Sequence, residues 1–449
     1  MDSFYSRHLE AFYLGLFLLI FSAVSIPNGY RLLMDIGLLV SMPALAWAPV
    51  RASLRERALL VGLCLLATLY WWWQREASAP VYINSFRLYL PLAALPLLVW
   101  TWRHPLPSLR PMVLAACIAA PVALGEAAYQ FLHLNRRAEG GDFFYIHFGD
   151  LSALFALLLW VAGLRMPASR RLQLLAWTSA LAFAGASVLS MTRGAWLLLL
   201  LVPAVMLRGG YRPSLKMLAG MAALIGALTV LSPSGITHKV YERIAAAQHE
   251  VTLYETREVA STSVGARLQM WQFAWELFCE KPWLGWNQQG YEAQRDIAVR
   301  QKRVDPMMEQ FHHPHNEFLN EAAKSGVVGI VFLLLVYGMP LAYFARQWRR
   351  SAPDSLSRTL ALLGMLIPLA YGIFGLTEAI LFWNNGPIAL YFFLIAVLAT
   401  RSTAAAGHDD AAVQAGRGAC PCTPSTLPAT HTSASTGTTS SEAQRKNVV

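Results

Sequence analysis

The sequence predicts an all-α, polytopic integral membrane protein with about twelve transmembrane helices and one large helical loop outside the membrane. Apolar residues make up 56% of the 449 positions and charged residues 14%, whereas soluble domains average roughly 45–50% and 25%. Leu- and Ala-rich runs, each near the roughly 20 residues that span a bilayer as a helix, recur without the alternation of barrel strands. The predicted spans are 11–26, 32–49, 58–73, 87–102, 111–132, 148–164, 172–190, 195–207, 215–231, 326–344, 359–377 and 386–400.

The distribution of cations among the loops predicts the orientation of these spans. With the N-terminus in the cytoplasm, most Arg and Lys residues of the short loops face inward, as the positive-inside rule requires. The net charge of +10 is then a topology signal, and no nucleic-acid partner is expected. The chain divides into a nine-helix region at 1–231, an outer loop at 232–325, a three-helix region at 326–400 and a Ser- and Thr-rich cytoplasmic tail at 401–449 that is expected to be disordered.

Ionisable side chains within or at the edges of the spans predict a polar cavity. Such residues are unfavourable in hydrocarbon unless they are paired or face water. Each one alone is compatible with a side chain that extends to the membrane surface. All of them lie toward the outer ends of their helices, however, and together they indicate a water-accessible cavity that opens outward. They are Asp35, Arg87, Glu126, Asp150, Arg193 and Glu378.

Arg193 is a cation on the outside, against the charge bias of the loops. It lies in the short turn 190–196 between two apolar helices, where Gly194 and Ala195 let a ligand or a neighbouring helix approach closely. Taken alone, Arg193 is compatible with a role as an anchor at the membrane surface. A second outside arginine of the same kind makes a paired anion site the better interpretation.

Arg267 is that second arginine. Residues 263–280 predict a helix that begins at the N-cap Ser263. At 100° per residue, Arg267 falls inside the apolar stripe of this helix. A guanidinium on a packed face needs an anionic partner, which is either Glu276, Glu280 or a bound ligand. The apolar stripe consists of Val264, Leu268, Trp271, Ala274, Trp275 and Phe278.

The segment 311–320 carries three histidines, of which His315 is best placed for chemistry. Pro314 suits the first position of a helix, which would put His315 in the first turn. There the positive end of the helix dipole favours the neutral imidazole, which can accept a proton as a general base. A zinc site is the rival interpretation, but the segment has no standard ligand spacing. No metal or cofactor is therefore predicted, and a structural role is expected for His312.

These residues suit an anionic substrate with a diphosphate leaving group. Charge that develops on a diphosphate is stabilised by a divalent cation or by guanidinium groups. The outside loops hold scattered Asp residues and no Asp-x-Asp pair, so arginine, whose planar fork matches phosphate oxygens, is the better candidate. Trp271 offers a flat surface for a sugar ring, although membrane anchoring or loop packing is the commoner use of tryptophan.

Three segments resemble the O-antigen ligases and the related polymerases. His315 and Asn316, followed after nine residues by the Gly-Val-Val-Gly of 326–329, are similar to the signature of that family. The Thr-Arg-Gly-Ala-Trp of 192–196 resembles its arginine turn. Arg267, followed by the Lys-Pro-Trp-Leu-Gly-Trp of 281–286, resembles its loop pattern.

The resemblance covers roughly residues 147–344 and implies a metal-independent, inverting glycosyltransferase with a membrane fold of the GT-C type. Such an enzyme moves a glycan from undecaprenyl diphosphate to a sugar of the lipid A–core oligosaccharide, at the periplasmic face of a Gram-negative inner membrane. The resemblance implies that His315 activates the acceptor hydroxyl and that Arg193 and Arg267 hold the diphosphate. Secondary candidates for substrate contact are His313, Asn316, Trp271 and Arg87.

Two alternatives stay open. An O-antigen polymerase shares the donor chemistry and differs in its acceptor, and the single large outer loop favours the ligase. A transporter or flippase of a charged lipid would be indicated by internal repeats and by helices broken near the midplane. The two halves of the sequence show no convincing repeat and the conspicuous charges lie outward, so a transferase is the prediction.

Overall fold

The computed structural model describes residues 2–46, 54–74, 89–166, 169–192, 194–198, 262–382 and 385–400. Regular structure in these ranges is helical, with one isolated bridge between Gly140 and Phe143 and no strand. The helices are α1 Asp2–Ser22, α2 Gly29–Ala46, α3 Leu54–Gln74, α4 Leu90–Arg103, α5 Arg110–Leu132, α6 Tyr145–Leu164, α7 Arg170–Leu189, α8 Ser263–Glu280, α9 Asn287–Arg300, α10 Glu317–Arg350, α11 Leu356–Phe374 and α12 Asn385–Leu398, with a short 3-10 helix at Pro306–Gln310.

Five of the described helices, α5, α6, α7, α10 and α11, are long and apolar enough to cross a membrane. The apolar part of α3 and the whole of α12 are shorter. Every predicted span that reaches the described residues overlaps a helix there, whereas residues 199–231 lie outside them. The chain is therefore a helical membrane protein. That it has twelve spans stays a prediction. All described residues belong to the unit Met1–Ala405. The predicted tail, 401–449, lies outside the described residues.

Two helices, α6 and α12, are buried along almost their whole lengths. In α6 every residue from Ile146 to Gly163 is buried, and in α12 every residue is buried. A helix that is apolar all round belongs in the interior of a bundle. Because α6 contacts α7 and α11, any polar side chain that it carries faces other helices.

The described part of the outer loop has a small apolar core of its own. Residues of α8 and α9 form it with Met308 and with Ala323 of α10. The predicted packed stripe of α8 is therefore wrong in part, since Trp275 is 55% exposed and the buried face lies further round the helix. α8 has apolar residues on two adjacent faces, and the single predicted stripe included only part of the buried face. The α8 residues of the core are Ala266, Met270, Phe273, Ala274 and Leu277.

α10 is kinked at Gly326, whose backbone has the left-handed φ of 61°. A Cβ at this position would overlap the backbone of Pro282 and Trp283, and the Val327 N–H donates to the Pro282 carbonyl at 2.7 Å. Gly326 therefore seats the 281–286 loop against the helix, at the point where the predicted span begins.

Gly329, the second glycine of the Gly-x-x-Gly signature, gives room to the residues before the kink. A Cβ there would lie 2.8 Å from the carbonyl oxygen and 3.0 Å from a carboxylate oxygen of Glu321. The Glu321 carboxylate is buried and accepts hydrogen bonds from Tyr70 of α3 and from Ser325. Gln74 donates to Tyr70 at 3.0 Å, so this polar cluster joins α3 to the kink.

Candidate active site

His315 lies just before α10 and not in its first turn. The helix begins at Glu317, and Asn316 is its N-cap, whose side chain accepts the Leu319 N–H at 3.0 Å. The prediction that Pro314 starts the helix is therefore wrong, because an asparagine side chain satisfies a free helical N–H and is a preferred N-cap. His315 has a left-handed backbone with φ 49°, a conformation that is strained for a residue other than glycine.

The imidazole of His315 is paired with Glu378. Its Nδ1 lies 2.8 Å from Glu378 Oε2. An ionised carboxylate can only accept a hydrogen bond, so Nδ1 carries the proton and Nε2 keeps its lone pair. The His315 side chain is 19% exposed, whereas Glu378 is almost fully buried. This arrangement leaves Nε2 of a part-exposed imidazole able to accept a proton.

The Glu378 carboxylate is held in its ionised form. Burial alone would raise its pKa, but the charge of the protonated His315 ring and the hydrogen bond from His315 outweigh burial and hold the pKa well below its usual range. The Ala379 N–H also donates to Oε1 at 3.0 Å. Glu378 was among the ionisable residues noted at the membrane edge, but its pairing with His315 was not predicted.

Glu317 positions the chain segment that carries Glu378. Its carboxylate accepts the Leu381 N–H at 2.8 Å, and its own N–H donates to the Gly375 carbonyl at 2.7 Å. Glu317 therefore orients the segment 375–381 and not the imidazole of His315. Asn316 contributes through its side-chain amide, which donates to the Leu376 carbonyl at 3.1 Å.

His313 is a buried neutral imidazole beside this pair. Burial, which penalises the cation, places its pKa well below the ordinary value for histidine. Its Nδ1 accepts the His315 backbone N–H at 3.3 Å. The 3.6 Å separation between this nitrogen and Glu378 Oε1 is therefore an approach of two acceptors and not a hydrogen bond. His313 supports the turn that holds His315.

The same three side chains satisfy the spacing of a metal site. One ligand atom from each of His313, His315 and Glu378 lies within 4.8 Å of the others. Two imidazoles and a carboxylate are a donor set that zinc accepts. A metal on His315 Nδ1 would, however, replace the hydrogen bond to Glu378.

His312 belongs to a separate structural cluster. Its Nδ1 lies 2.8 Å from Glu292 Oε1, and its carbonyl accepts hydrogen bonds from Lys324 at 2.9 Å and Gln288 at 3.1 Å. The buried ammonium of Lys324 also lies 4.0 Å from the ring centre of Phe382. These contacts fix the segment before His313, in agreement with the structural role expected for His312.

Arg267 lies on a part-buried face of α8. No hydrogen bond or ion pair joins its guanidinium to another residue of the described ranges, and Asp150 of α6 is close enough to interact with it electrostatically. The predicted structural partner Glu276 contacts Gln272 at 3.2 Å and Arg303 at 4.0 Å. Arg267 is therefore a part-buried cation without a hydrogen bond or ion pair among the described residues.

Arg193 and Arg87 lie outside the described residues, whereas the neighbours of Arg193 in the chain, Thr192 and Gly194, are described. Thr192 Oγ1 donates to the Tyr145 carbonyl at 3.0 Å, and Gly194 lies against Thr377, the neighbour of Glu378. The residues on either side of Arg193 thus contact the start of α6 and the segment of Glu378.

Arg137 clamps this turn and was not predicted to matter. Its Nε donates to the Ser190 carbonyl at 2.9 Å and its Nη2 to the Met191 carbonyl at 3.1 Å. The guanidinium also lies 3.4 Å from the ring centre of Tyr145. In the sequence Arg137 is one of two adjacent outside arginines, and nothing there distinguishes it from Arg136.

Two polar residues of α6, His147 and Asp150, complete the buried surroundings of the pair. They are 4% and 0% exposed, and their side-chain nitrogens and oxygens have no hydrogen-bond partner among the described residues. His147 interacts electrostatically with Glu378 and His315. Asp150 was among the noted ionisable residues, whereas His147 was missed because a single histidine in an apolar run gives no signal.

A part-buried histidine–carboxylate pair, assembled where the described part of the 232–325 loop meets buried apolar helices, is the candidate site of this helical membrane protein. Residues 177–334 match the model of the O-antigen ligase family, so this part of the chain is similar to that family. Arg267, His315 and the Gly-x-x-Gly glycines fall within the matched region, while Glu378 and α6 lie outside it.

A protein of Haemophilus influenzae described as uncharacterized is similar to this chain. The two are 28% identical over 209 residues, which are 46% of this chain and 51% of the relative. The chain thus spans about half the length of the curated relative that it matches.

Proposed function

We propose that this protein is a glycosyltransferase that moves an O-antigen glycan from undecaprenyl diphosphate to a hydroxyl of the lipid A–core oligosaccharide. The site would lie at the periplasmic face of a Gram-negative inner membrane, with both termini in the cytoplasm and a GT-C type fold of about twelve spans. One observation carries the proposal within the family. The 2.8 Å contact between His315 and Glu378 leaves the Nε2 lone pair of a part-exposed imidazole available as a base.

In the proposed reaction His315 Nε2 takes the proton of the acceptor hydroxyl. The hydroxyl oxygen forms a bond to the anomeric carbon while the bond from that carbon to the diphosphate oxygen breaks. The electron pair leaves with the diphosphate, and the proton remains on the imidazole until it passes to solvent. Glu378 stabilises the imidazolium and holds the ring in the productive tautomer. Attack opposite the leaving group inverts the anomeric centre.

Arg267 and Arg193 stabilise the leaving diphosphate in this proposal. The guanidinium of Arg267 supports this role, because a part-buried cation that forms no ion pair within the described ranges is suited to an anionic ligand. Two guanidinium groups replace the divalent cation, so the reaction needs neither metal nor cofactor. Arg87 is proposed as a further contact to the donor lipid.

Asn316, Trp271 and His313, three of the four secondary candidates, are better suited to positioning than to substrate contact. Asn316 uses both ends of its amide within the protein, toward Leu319 and Leu376. Trp271 donates its indole N–H to the Pro314 carbonyl at 2.9 Å. His313 is buried and supports the backbone of His315. These three residues hold the turn of the base in place.

The proposal is tested with purified full-length protein in lipid vesicles that contain lipid-linked glycan and lipid A–core. Asn is the replacement of choice for His315, because it tolerates the left-handed backbone. Transfer is expected to be lost in His315→Asn and retained in His312→Asn, the neighbouring histidine that is also bonded to a carboxylate. Transfer by His315→Asn at the normal rate would overturn the base assignment.

Two further arms of this experiment test the acceptor and the metal. With donor alone, elongation of the lipid-linked glycan would identify a polymerase and contradict the ligase proposal. With chelator present, transfer is expected to continue unchanged. Loss of transfer in chelator, restored by zinc, would replace the proposed base with the metal site of His313, His315 and Glu378.

A further inference from the structure

An apolar surface of the outer loop is left uncovered by the described part of the protein. Trp283 is 73% exposed, Leu284 62% and Trp275 55%, and the ring of the part-buried Phe278 lies 5.4 Å from that of Trp275. We call these four residues the apolar wedge. Large apolar side chains exposed together on a helix and on the loop that follows it mark a surface that contacts a partner or a membrane.

The wedge is fixed rigidly to α10. The Trp286 N–H donates to the Ala323 carbonyl at 2.9 Å, so the loop is bonded to the helix just before the kink. Gly285 has the left-handed φ of 64°, and a Cβ there would overlap the backbone of Lys324 and Ser325. Together with Gly326, this glycine allows two backbones to pack without intervening side chains. The wedge is therefore a built feature of the kink and not a loose loop.

The wedge is continuous with the lipid-facing side of α10. Beyond the kink, Val328, Val331 and Leu334 recur at spacings of three residues, and all three are exposed. On a spanning helix such a stripe faces lipid. The Val328 N–H contacts the Trp283 carbonyl at 3.5 Å, so the wedge lies beside the outer end of this stripe.

We propose that the apolar wedge inserts into the leaflet that surrounds the kink of α10, among acyl chains just below the headgroups. Tryptophan is enriched at this depth, and Leu284 and Phe278 suit acyl chains better than sugar rings. Lys281, whose Nζ lies 3.6 Å from the ring centre of Trp286, keeps a cation at the edge of the wedge near lipid phosphates.

The inserted wedge fixes the depth of α8. On the proposed function, this holds Arg267 and the turn of His315 at the level of the lipid diphosphate, because α8, the 281–286 loop and the kink form one packed unit with its own core. The contact with lipid itself does not depend on the reaction that the site catalyses.

The experiment is a depth measurement with spin labels on the full chain in lipid nanodiscs. Single cysteines replace Trp275, Leu284, Leu334 and Glu276 in a variant without native cysteines, and accessibility to oxygen is compared with accessibility to a water-soluble nickel chelate. Glu276 is the matched control, since it is exposed and adjacent to Trp275 on α8. Leu334 is the lipid reference. Each labelled variant is checked for an unchanged melting temperature.

Labels at 275 and 284 are expected to favour oxygen by several-fold, as at 334, while the label at 276 favours the nickel chelate. Labels at 275 and 284 that resemble the one at 276 would overturn the proposal. Labels at 275 and 284 that are protected from both reagents would also overturn it, because a protein partner or a second copy would then cover the wedge. None of these readouts depends on glycan transfer, so failure here is distinct from failure of the proposed function.

Discussion

The indole N–H of Trp271 donates a 2.9 Å hydrogen bond to the carbonyl of Pro314, the residue that precedes the base. Trp271 lies about one turn after Arg267 on α8. A single bond therefore ties the helix of the proposed phosphate-binding arginine to the strained turn of His315.

Trp271→Phe keeps the aromatic ring and removes this bond. Transfer is expected to fall about tenfold, because a small displacement of a base has a large effect on rate, while stability falls by about 1 kcal/mol. Trp286→Phe is the matched control, since its indole N–H donates at 3.0 Å to Leu277 of the loop core. Equal transfer in the two variants, measured with lipid-linked glycan, would argue against a positioning role.

Glu378→Gln tests the partner of the base. An amide can hold the imidazole in the wrong tautomer and cannot stabilise its cation, so transfer is expected to fall by about 10²–10⁴-fold. Glu292→Gln removes the carboxylate of the His312 pair, which has the same 2.8 Å separation, and should transfer at nearly the normal rate. A small effect of Glu378→Gln alongside a large effect of Glu292→Gln would reverse the assignment of the two histidines.

Arg137→Lys tests the clamp on the turn that contains Arg193. Lysine lacks the planar fork that reaches two carbonyls at once, so a roughly tenfold loss of transfer is expected from the displaced turn. The adjacent Arg136 forms an exposed ion pair with Glu139 at 3.2 Å, and Arg136→Lys should have little effect. Steady-state rates at saturating donor distinguish the two variants.

Gly326→Ala tests the packing of the 281–286 loop against the kink of α10. The left-handed φ and the overlap with the Pro282 and Trp283 backbones predict a loss of about 1–3 kcal/mol in the free energy of unfolding. Gly338→Ala in the same helix meets no atom within 4 Å and should leave stability unchanged or raise it by up to about 1 kcal/mol. Thermal unfolding in detergent compares them, and equal melting temperatures would contradict the packing described.

The lowered pKa of His313 predicts how stability depends on pH. The unfolded chain binds a proton at this residue below about pH 6.5, whereas the folded protein does not until lower pH. Stability is therefore full above about pH 6.5 and falls on acidification, by at most about 1.4 kcal/mol per pH unit. His313→Gln should flatten this dependence between pH 7.5 and 5, and parallel curves for the two proteins would contradict it.

Glu378 does not contribute to the change in stability between pH 7.5 and 5. A carboxylate with a lowered pKa contributes stability above its unfolded pKa of about 4.3, and loses it as the pH falls through the lower folded value. The flattening measured down to pH 5 is therefore assignable to the histidine.

Local patterns in the sequence were enough to predict the described helices and to identify candidate site residues on the loop. Apolar runs of spanning length gave the membrane helices, and His315 and Arg267 were found from their chemistry and from short motifs. The start of α10 was misplaced by three residues because Pro314 and Asn316 both carry helix-start signals, and only the contacts of Asn316 with Leu319 and Leu376 decide between them.

The partners of those residues were not predictable in the same way. Glu378 is 63 residues from His315 in the chain, and their contact depends on how α10 packs against α11. His147 and Arg137 likewise depend on the packing of α6 and α7. No periodicity within one helix encodes the neighbours that a second helix brings to it.

The hydrogen bonds from Tyr70 and Gln74 to the kink of α10 show that residues around the candidate site extend beyond the segment that matches the family model, 177–334. Tyr70 precedes the matched segment 177–334 by more than a hundred positions, and Glu378 follows it. A random mutagenesis screen for inactive protein should therefore recover substitutions in α3, in α6 and near Glu378 as well as in the segment 177–334. A gene fragment trimmed to that segment would encode the proposed base His315 without the carboxylate of Glu378.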